Sequence, residues 1–244
     1  MTGEGWTQAV RRQLGLGRVL PLGGAADGAW VTESAVDGAL RRMAERVPGV
    51  RLGTVRVAPA APDEASVAAV PSPPSALPPG PLRIVAEFAA VAGDPLPAAA
   101  DRLRVALSEA ADGLGLVTDG VDLRVTALLD TAEEGGEEGR SGPHTPTAGD
   151  SDDQKEDGDD SDEARAERAA LAVPGVARLT GVLGRAVHIE QHPATGALPR
   201  RHARVELATD HGHRALDVAL AVRAAVGADL PDHPSVAVLV TEVR

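Results

Sequence analysis

Apolar residues recur along this chain with two alternating periods. Leu40, Met43, Ala44 and Val47 fall at i, i+3, i+4 and i+7, one face of a helix, and the pattern stops at Pro48-Gly49. Leu103, Leu107, Ala110 and Ala111 form a second helical stripe. Around Ala86-Glu87-Phe88-Ala89, and again at Val121, Leu123 and Val125, the period drops to two, as in a strand with one half-buried face.

The same series returns later in the chain. Val47-Pro48-Gly49-Val50 recurs as Val173-Pro174-Gly175-Val176, preceded by the stripe Ala166, Ala169, Ala170 and Val173. Ala86-Glu87-Phe88-Ala89 corresponds to Val205-Glu206-Leu207-Ala208, and Leu103, Leu107, Ala110 and Ala111 to Val218, Val222, Ala225 and Val226. The closing strand Val121, Leu123, Val125, Thr126 maps onto Val236, Val238, Val240, Thr241. The helical match ends where Leu114 falls opposite Asp229.

Two copies of one module are the simplest account, and each reads helix, strand or hairpin, strand, helix, strand. This predicts an α+β fold: two tandem modules, each a short sheet covered by helices. Residues 1–32 form an N-terminal extension, with a short helix around 6–14, then residues 18–22 and 29–32 flanking a Gly-rich turn. Thr32 is placed to cap the helix that follows. The first module spans 33–130 and includes a Pro-rich loop at 59–81, read as a polyproline spacer inside that module. Residues 131–163 form a linker and 164–244 the second module.

Charge isolates the linker. From Glu133 to Glu163 there are thirteen acids against Arg140 and Lys155, which accounts for −11 of the chain's net −12. The segment is rich in Gly, Ser and Asp, so it cannot bury enough apolar surface to offset its ordering entropy and is expected to be a disordered, solubilising spacer. Asp153, Asp157, Gly158 and Asp159 have a faint calcium-loop spacing, but Lys155 stands at a ligand position and Ala164 where the bidentate Glu is needed.

Composition narrows the chemistry. The chain has no Cys, which removes disulfides, thiolate metal sites and thiol nucleophiles. The scarcity of Asn, Tyr and Lys suits a GC-rich genome such as an actinobacterium's. Trp6, Trp30 and Phe88 are the only aromatics, too few for a stacking platform. No apolar run approaches the ~18 residues of a membrane span, and a cytoplasmic protein is expected.

The order Trp30-Val31-Thr32-Glu33, amphipathic helix, Val-Pro-Gly-Val, strand, second helix and Val-rich strand resembles the alkaline-shock (envelope stress response) family of Gram-positive bacteria. The resemblance covers roughly residues 29 to 130 and 163 to 244, as two divergent copies. Actinobacterial relatives sometimes carry the label of a nucleopolyhedrovirus fibrillar-protein family. The chain departs from the family pattern in lacking Tyr-Gly after the third strand and in its acidic linker. The resemblance implies a noncatalytic scaffold for cell-envelope stress or homeostasis. It also implies protein partners, among them a small membrane protein holding the chain at the inner face of the membrane, and self-association.

No motif for catalysis stands against this. Ser34, Ser108 and Ser235 lie in no Gly-x-Ser-x-Gly elbow, and the Gly-rich runs lack a P-loop Lys. Asp210-His211-Gly212-His213 with His188 and His192 invites a metal, but a solvated turn is the simpler reading. Glu87 and Glu206 are expected on exposed strand faces. No catalytic, metal or cofactor residue is assigned. The candidate interaction surface is the basic cluster Arg200, Arg201 and Arg204, and a nucleic-acid-binding regulator using it is the alternative function.

Overall fold

The computed structural model describes residues 17–64, 66–130, 161–192 and 200–244. The helix expected at 6–14 and residues 131–160 of the linker, with their calcium-loop pattern, lie outside the described residues.

In chain order the elements are β1 (Val19–Leu22), β2 (Ala29–Thr32), α1 (Glu33–Ala44), β3 (Val50–Pro59), β4 (Leu82–Val91), α2 (Leu96–Leu114) and β5 (Thr118–Leu129), then α3 (Asp162–Leu171), β6 (Val176–Leu179), β7 (Val187–His192), β8 (Arg200–Thr209), α4 (Ala215–Asp229) and β9 (Ser235–Val243). The fold is α+β, and the repeat is visible in it. One sheet has the order β3-β4-β5; the other runs β1-β2-β9-β8-β6, with β7 also on β8.

The two copies share register as well as order. Ala86 faces Leu123 and Phe88 faces Val125 in the parallel β4–β5 pair, while Val205 faces Val238 and Leu207 faces Val240 in β8–β9. Each ladder then shifts by one residue at the same place, after Phe88 and after Leu207. There a threonine hydroxyl donates across the irregularity: Thr126 to the Phe88 carbonyl at 3.3 Å, Thr241 to the Leu207 carbonyl at 3.2 Å. The helical stripes of both copies are buried, Leu103, Leu107 and Ala111 in one and Val218, Val222 and Val226 in the other. Where the sequence match ends, Leu230, one residue beyond Asp229, is buried, as Leu114 is in the first copy.

Three features depart from the reading of the sequence. First, residues 19–32 do not stand apart from the modules. β1 and β2 form a hairpin, and β2 pairs parallel with β9, Ala29 to Val31 against Val238 to Val240. Thr32 then caps α1, its hydroxyl accepting from the Ala35 N–H at 3.3 Å and donating to the Thr241 carbonyl at 3.1 Å. The strand entering the first repeat's first helix thus extends the second repeat's sheet, and one apolar core runs through both copies.

Second, the Pro-rich loop is no spacer. Val70 packs with Val19, Trp30, Ala237 and Leu239 on the face of the larger sheet away from the main core. Backbone bonds hold it there, from Leu77 N–H to the Val19 carbonyl at 2.8 Å and from Ala69 N–H to the Ala25 carbonyl at 2.9 Å. Proline-rich backbone can do this because it loses little conformational freedom on packing.

Third, α3 begins at Asp162, inside the stretch assigned to the linker. Ser161 caps it by accepting from the Ala164 N–H at 3.2 Å, and Asp162 and Glu163 complement the positive helix start. The last acids of the tract are therefore part of a helix N-terminus.

The junction between copies is tight at one glycine. Gly115 ends α2 with φ +93°, and a Cβ there would sit 2.4 Å from Leu216 Cβ. Its carbonyl accepts from the Gly23 N–H at 3.0 Å, so this one residue touches the first hairpin and the second repeat.

Replacing Thr32 by Ala removes the cap and the bond to Thr241 together. The expected cost is about 1–3 kcal/mol, read as a lower urea midpoint at unchanged slope.

Candidate interaction surface

The two closing strands are equivalent in register but not in surroundings. In β9, Val238 and Val240 are fully buried and Val243 nearly so. β2 occupies its outer edge, α1 lies over its inner face, and Arg42 of α1 donates to the Val243 carbonyl at 3.0 Å. In β5 the matching residues are Leu123, Val125 and Leu128. Leu123 is half-buried, Val125 is 39% exposed and Leu128 60% exposed.

The reason lies in the chain order. Val125 and Leu128 face the same way as their buried neighbours Phe88 and Ala90, so their side chains are directed inward but lie at the rim where α2 no longer covers them. Among the described residues no strand pairs with the outer edge of β5. The helix α3, which would have to play the part of α1, packs instead on α4, β6 and β7. At the position corresponding to Ala29-Trp30-Val31-Thr32, the second repeat has Lys155-Glu156-Asp157-Gly158, which lacks the apolar alternation of a strand. β5 is thus a 12-residue strand with an open edge and two apolar side chains at its rim.

Polar groups on the outward face of β5 are paired within their own sheet. Arg83 bridges Asp122 at 3.1 Å and also Asp119, while Arg124, 78% exposed, lies 3.7 Å from Glu87. Val85, between Arg83 and Glu87, is 42% exposed.

The basic cluster marked by the sequence is not a single surface. Alternation along β8 sends Arg201 to one face and Arg200 and Arg204 to the other. Arg201 pairs with Asp162 at the start of α3, and Arg204 is 15% exposed with its Nε 3.3 Å from Glu206. Arg200 is exposed. His202, between them, is buried and shares a 2.9 Å bond between Nδ1 and the Ser235 hydroxyl.

Glu206 itself corrects the reading of its strand. It is fully buried, whereas its counterpart Glu87 is 37% exposed. The difference follows from an insertion: between the positions of Leu52 and Val55 the first repeat has Gly53-Thr54, and between Leu179 and Val187 the second has residues 180–186. That loop folds over the carboxylate, and the Leu183 N–H donates to it at 3.0 Å. Burial pushes the Glu206 carboxyl above its ordinary value, against the opposing pull of Leu183 N–H and Arg204.

The side chains of His188, His211 and His213 do not converge, and that of His192 lies outside the described residues. His188 lies on β7 beside Glu190 at 3.8 Å, and His211 and His213 occupy the turn between β8 and α4. No group of three or more His, Asp or Glu placed to share a metal occurs among the described residues.

No family model matches the chain, and no curated protein matches it. Among solved structures, a doubly alanine-substituted MamM C-terminal domain aligns with 38% of this chain and 92% of its own length, at 18% identity and a TM-score of 0.25.

The buried carboxyl makes stability depend on pH with a definite sign. Because its folded pKa is raised, the unfolded state releases the proton first, and stability falls as pH rises above the ordinary value of 4.5 until the folded group also ionises. Glu206→Gln is expected to remove this slope, gaining on the parent by at most about 1.4 kcal/mol per pH unit across that window. Urea unfolding of both proteins from about pH 5 to about pH 8 reads it, and a constant difference between them would exclude the effect.

Proposed function

We propose that the protein is a noncatalytic interaction scaffold serving the cell envelope through protein partners, and that β5 is its docking edge. The observation that carries this reading is the contrast between the repeats: β9 is closed on its edge and inner face, whereas among the described residues β5 has no strand on its outer edge and bares Val125 and Leu128 at its rim. A strand added to β5 would gain backbone hydrogen bonds along the edge, with side-chain contacts at alternate positions giving selectivity. Covering what remains exposed of Val125 and Leu128 would contribute about 0.5–2 kcal/mol each.

The cellular setting rests on the resemblance of the two Val-Pro-Gly-Val repeats to the alkaline-shock family. In this reading the chain works on the cytoplasmic side of the membrane, reached through a small membrane protein. No helix among the described residues is long and apolar enough to cross a membrane. Nucleic-acid binding through Arg200, Arg201 and Arg204 gains no support, since two of the three are engaged in internal ion pairs.

The test is photo-crosslinking in growing cells from a reactive residue at position 128, compared with one at Val105, a 56% exposed position on α2. Discrete adducts from position 128 and not from 105, with part of them in the carbonate-washed membrane fraction, are expected. Identical smears from both positions would remove β5 as the docking edge, and adducts confined to nucleic-acid complexes would favour the regulator.

A further inference from the structure

We infer that β5 pairs with β5 of a second copy of this chain, antiparallel about Leu123, joining the two β3-β4-β5 sheets into one. This rests on the interaction reading above and names its partner.

The repeat shows that this edge is built to receive a strand. In the larger sheet the Val238 N–H donates outward to the Gly28 carbonyl at 3.0 Å. Leu123 holds the same register position, opposite Ala86 as Val238 is opposite Val205, so its backbone groups point at the open edge. A twofold axis at Leu123 makes the two Leu123 residues a hydrogen-bonded pair, each donating to the other's carbonyl.

Charge selects this axis and this direction. Asp122 and Arg124 flank Leu123 on the outward face, so the twofold sets Asp122 of each copy opposite Arg124 of the other, at the closely spaced non-hydrogen-bonded positions. The Glu87–Arg124 contact of one copy and the Arg83–Asp122 pair of the other then join in a row of alternating sign. An in-register parallel pairing would instead place Asp122 against Asp122 and Arg124 against Arg124, which is repulsive.

Apolar matching follows from the same axis. On the inner face Val121 falls opposite Val125 and Leu123 opposite itself, which covers the 39% exposed Val125. The pairing is regular between the two irregularities of β5, from Val121 to Val125, where the Val121 carbonyl also accepts from the Arg104 Nε at 3.4 Å. The sheet's other edge, β3, suits a partner less: Arg51 and Arg56 are exposed along it.

The experiment is analytical ultracentrifugation of the full chain over a concentration series, with two charge-reversal variants. Arg124→Asp and Asp122→Arg each put like charges opposite at two places, so each alone should dimerise about tenfold more weakly or worse. Mixed in equal amounts, they should form a heterodimer more tightly than either variant pairs with itself, because both cross-strand pairs are then of opposite sign while Arg83 and Glu87 face like charges within their own chains in every state. Circular dichroism of each variant confirms that the fold is kept. Restoration by mixing would establish antiparallel pairing about Leu123. A parent chain that stays monomeric, or dimers indifferent to both reversals, would overturn the second copy as partner. Adducts from position 128 to a different protein would then leave the docking edge standing, whereas their absence would remove both.

Discussion

The structure depends on one docking event, that of the β2–α1 unit on β9. Val31 pairs with Val240, and one residue later Thr32 ends the strand, caps the helix and bonds the Thr241 carbonyl. A rigid strand-to-helix step thereby holds the first repeat's leading helix over the second repeat's closing strand. Arg18 reinforces the step by gripping Glu33 at 2.8 Å, and the guanidinium holds that carboxyl below its usual range. Without this unit, Val240 and Val243 would lie bare as Val125 and Leu128 do.

Because the described residues hold one such unit and two equivalent strands to receive it, the two repeats are unequal in their surroundings. The larger sheet gains β1, β2 and the Pro-rich loop, so β9 is buried on both faces. Among the described residues the smaller sheet has no such cover. Segments assigned by sequence to the N-terminal extension and to the first module thus stabilise the second, and among the described residues the first is left with an unpaired edge. This makes the repeat more than a duplication, since the same strand serves as core in one copy and as candidate contact surface in the other.

The same inequality sets the chemistry of the paired glutamates. Glu87 and Glu206 occupy matching positions, yet one meets water and Arg124 while the other lies under an inserted loop beside Arg204. Alternation along the strands places both on the outward face. Whether that face meets solvent is decided by what covers it, and the cover comes from residues 180–186, which lack a counterpart in the first repeat.

Periodicity and internal repetition alone determined the helical stripes, the alternation of the matching strands in both copies and the cap at Thr32, because these features rest on spacing along the chain. What only the tertiary structure decided is which segment covers which sheet. The Val121-Leu123-Val125 alternation reads the same as Val236-Val238-Val240, and Arg200, Arg201 and Arg204 read as one cluster until alternation and Asp162 divide them. Long-range docking leaves no period in the sequence. It depends on which of two equal edges a single strand reaches, and that choice is made by packing in three dimensions.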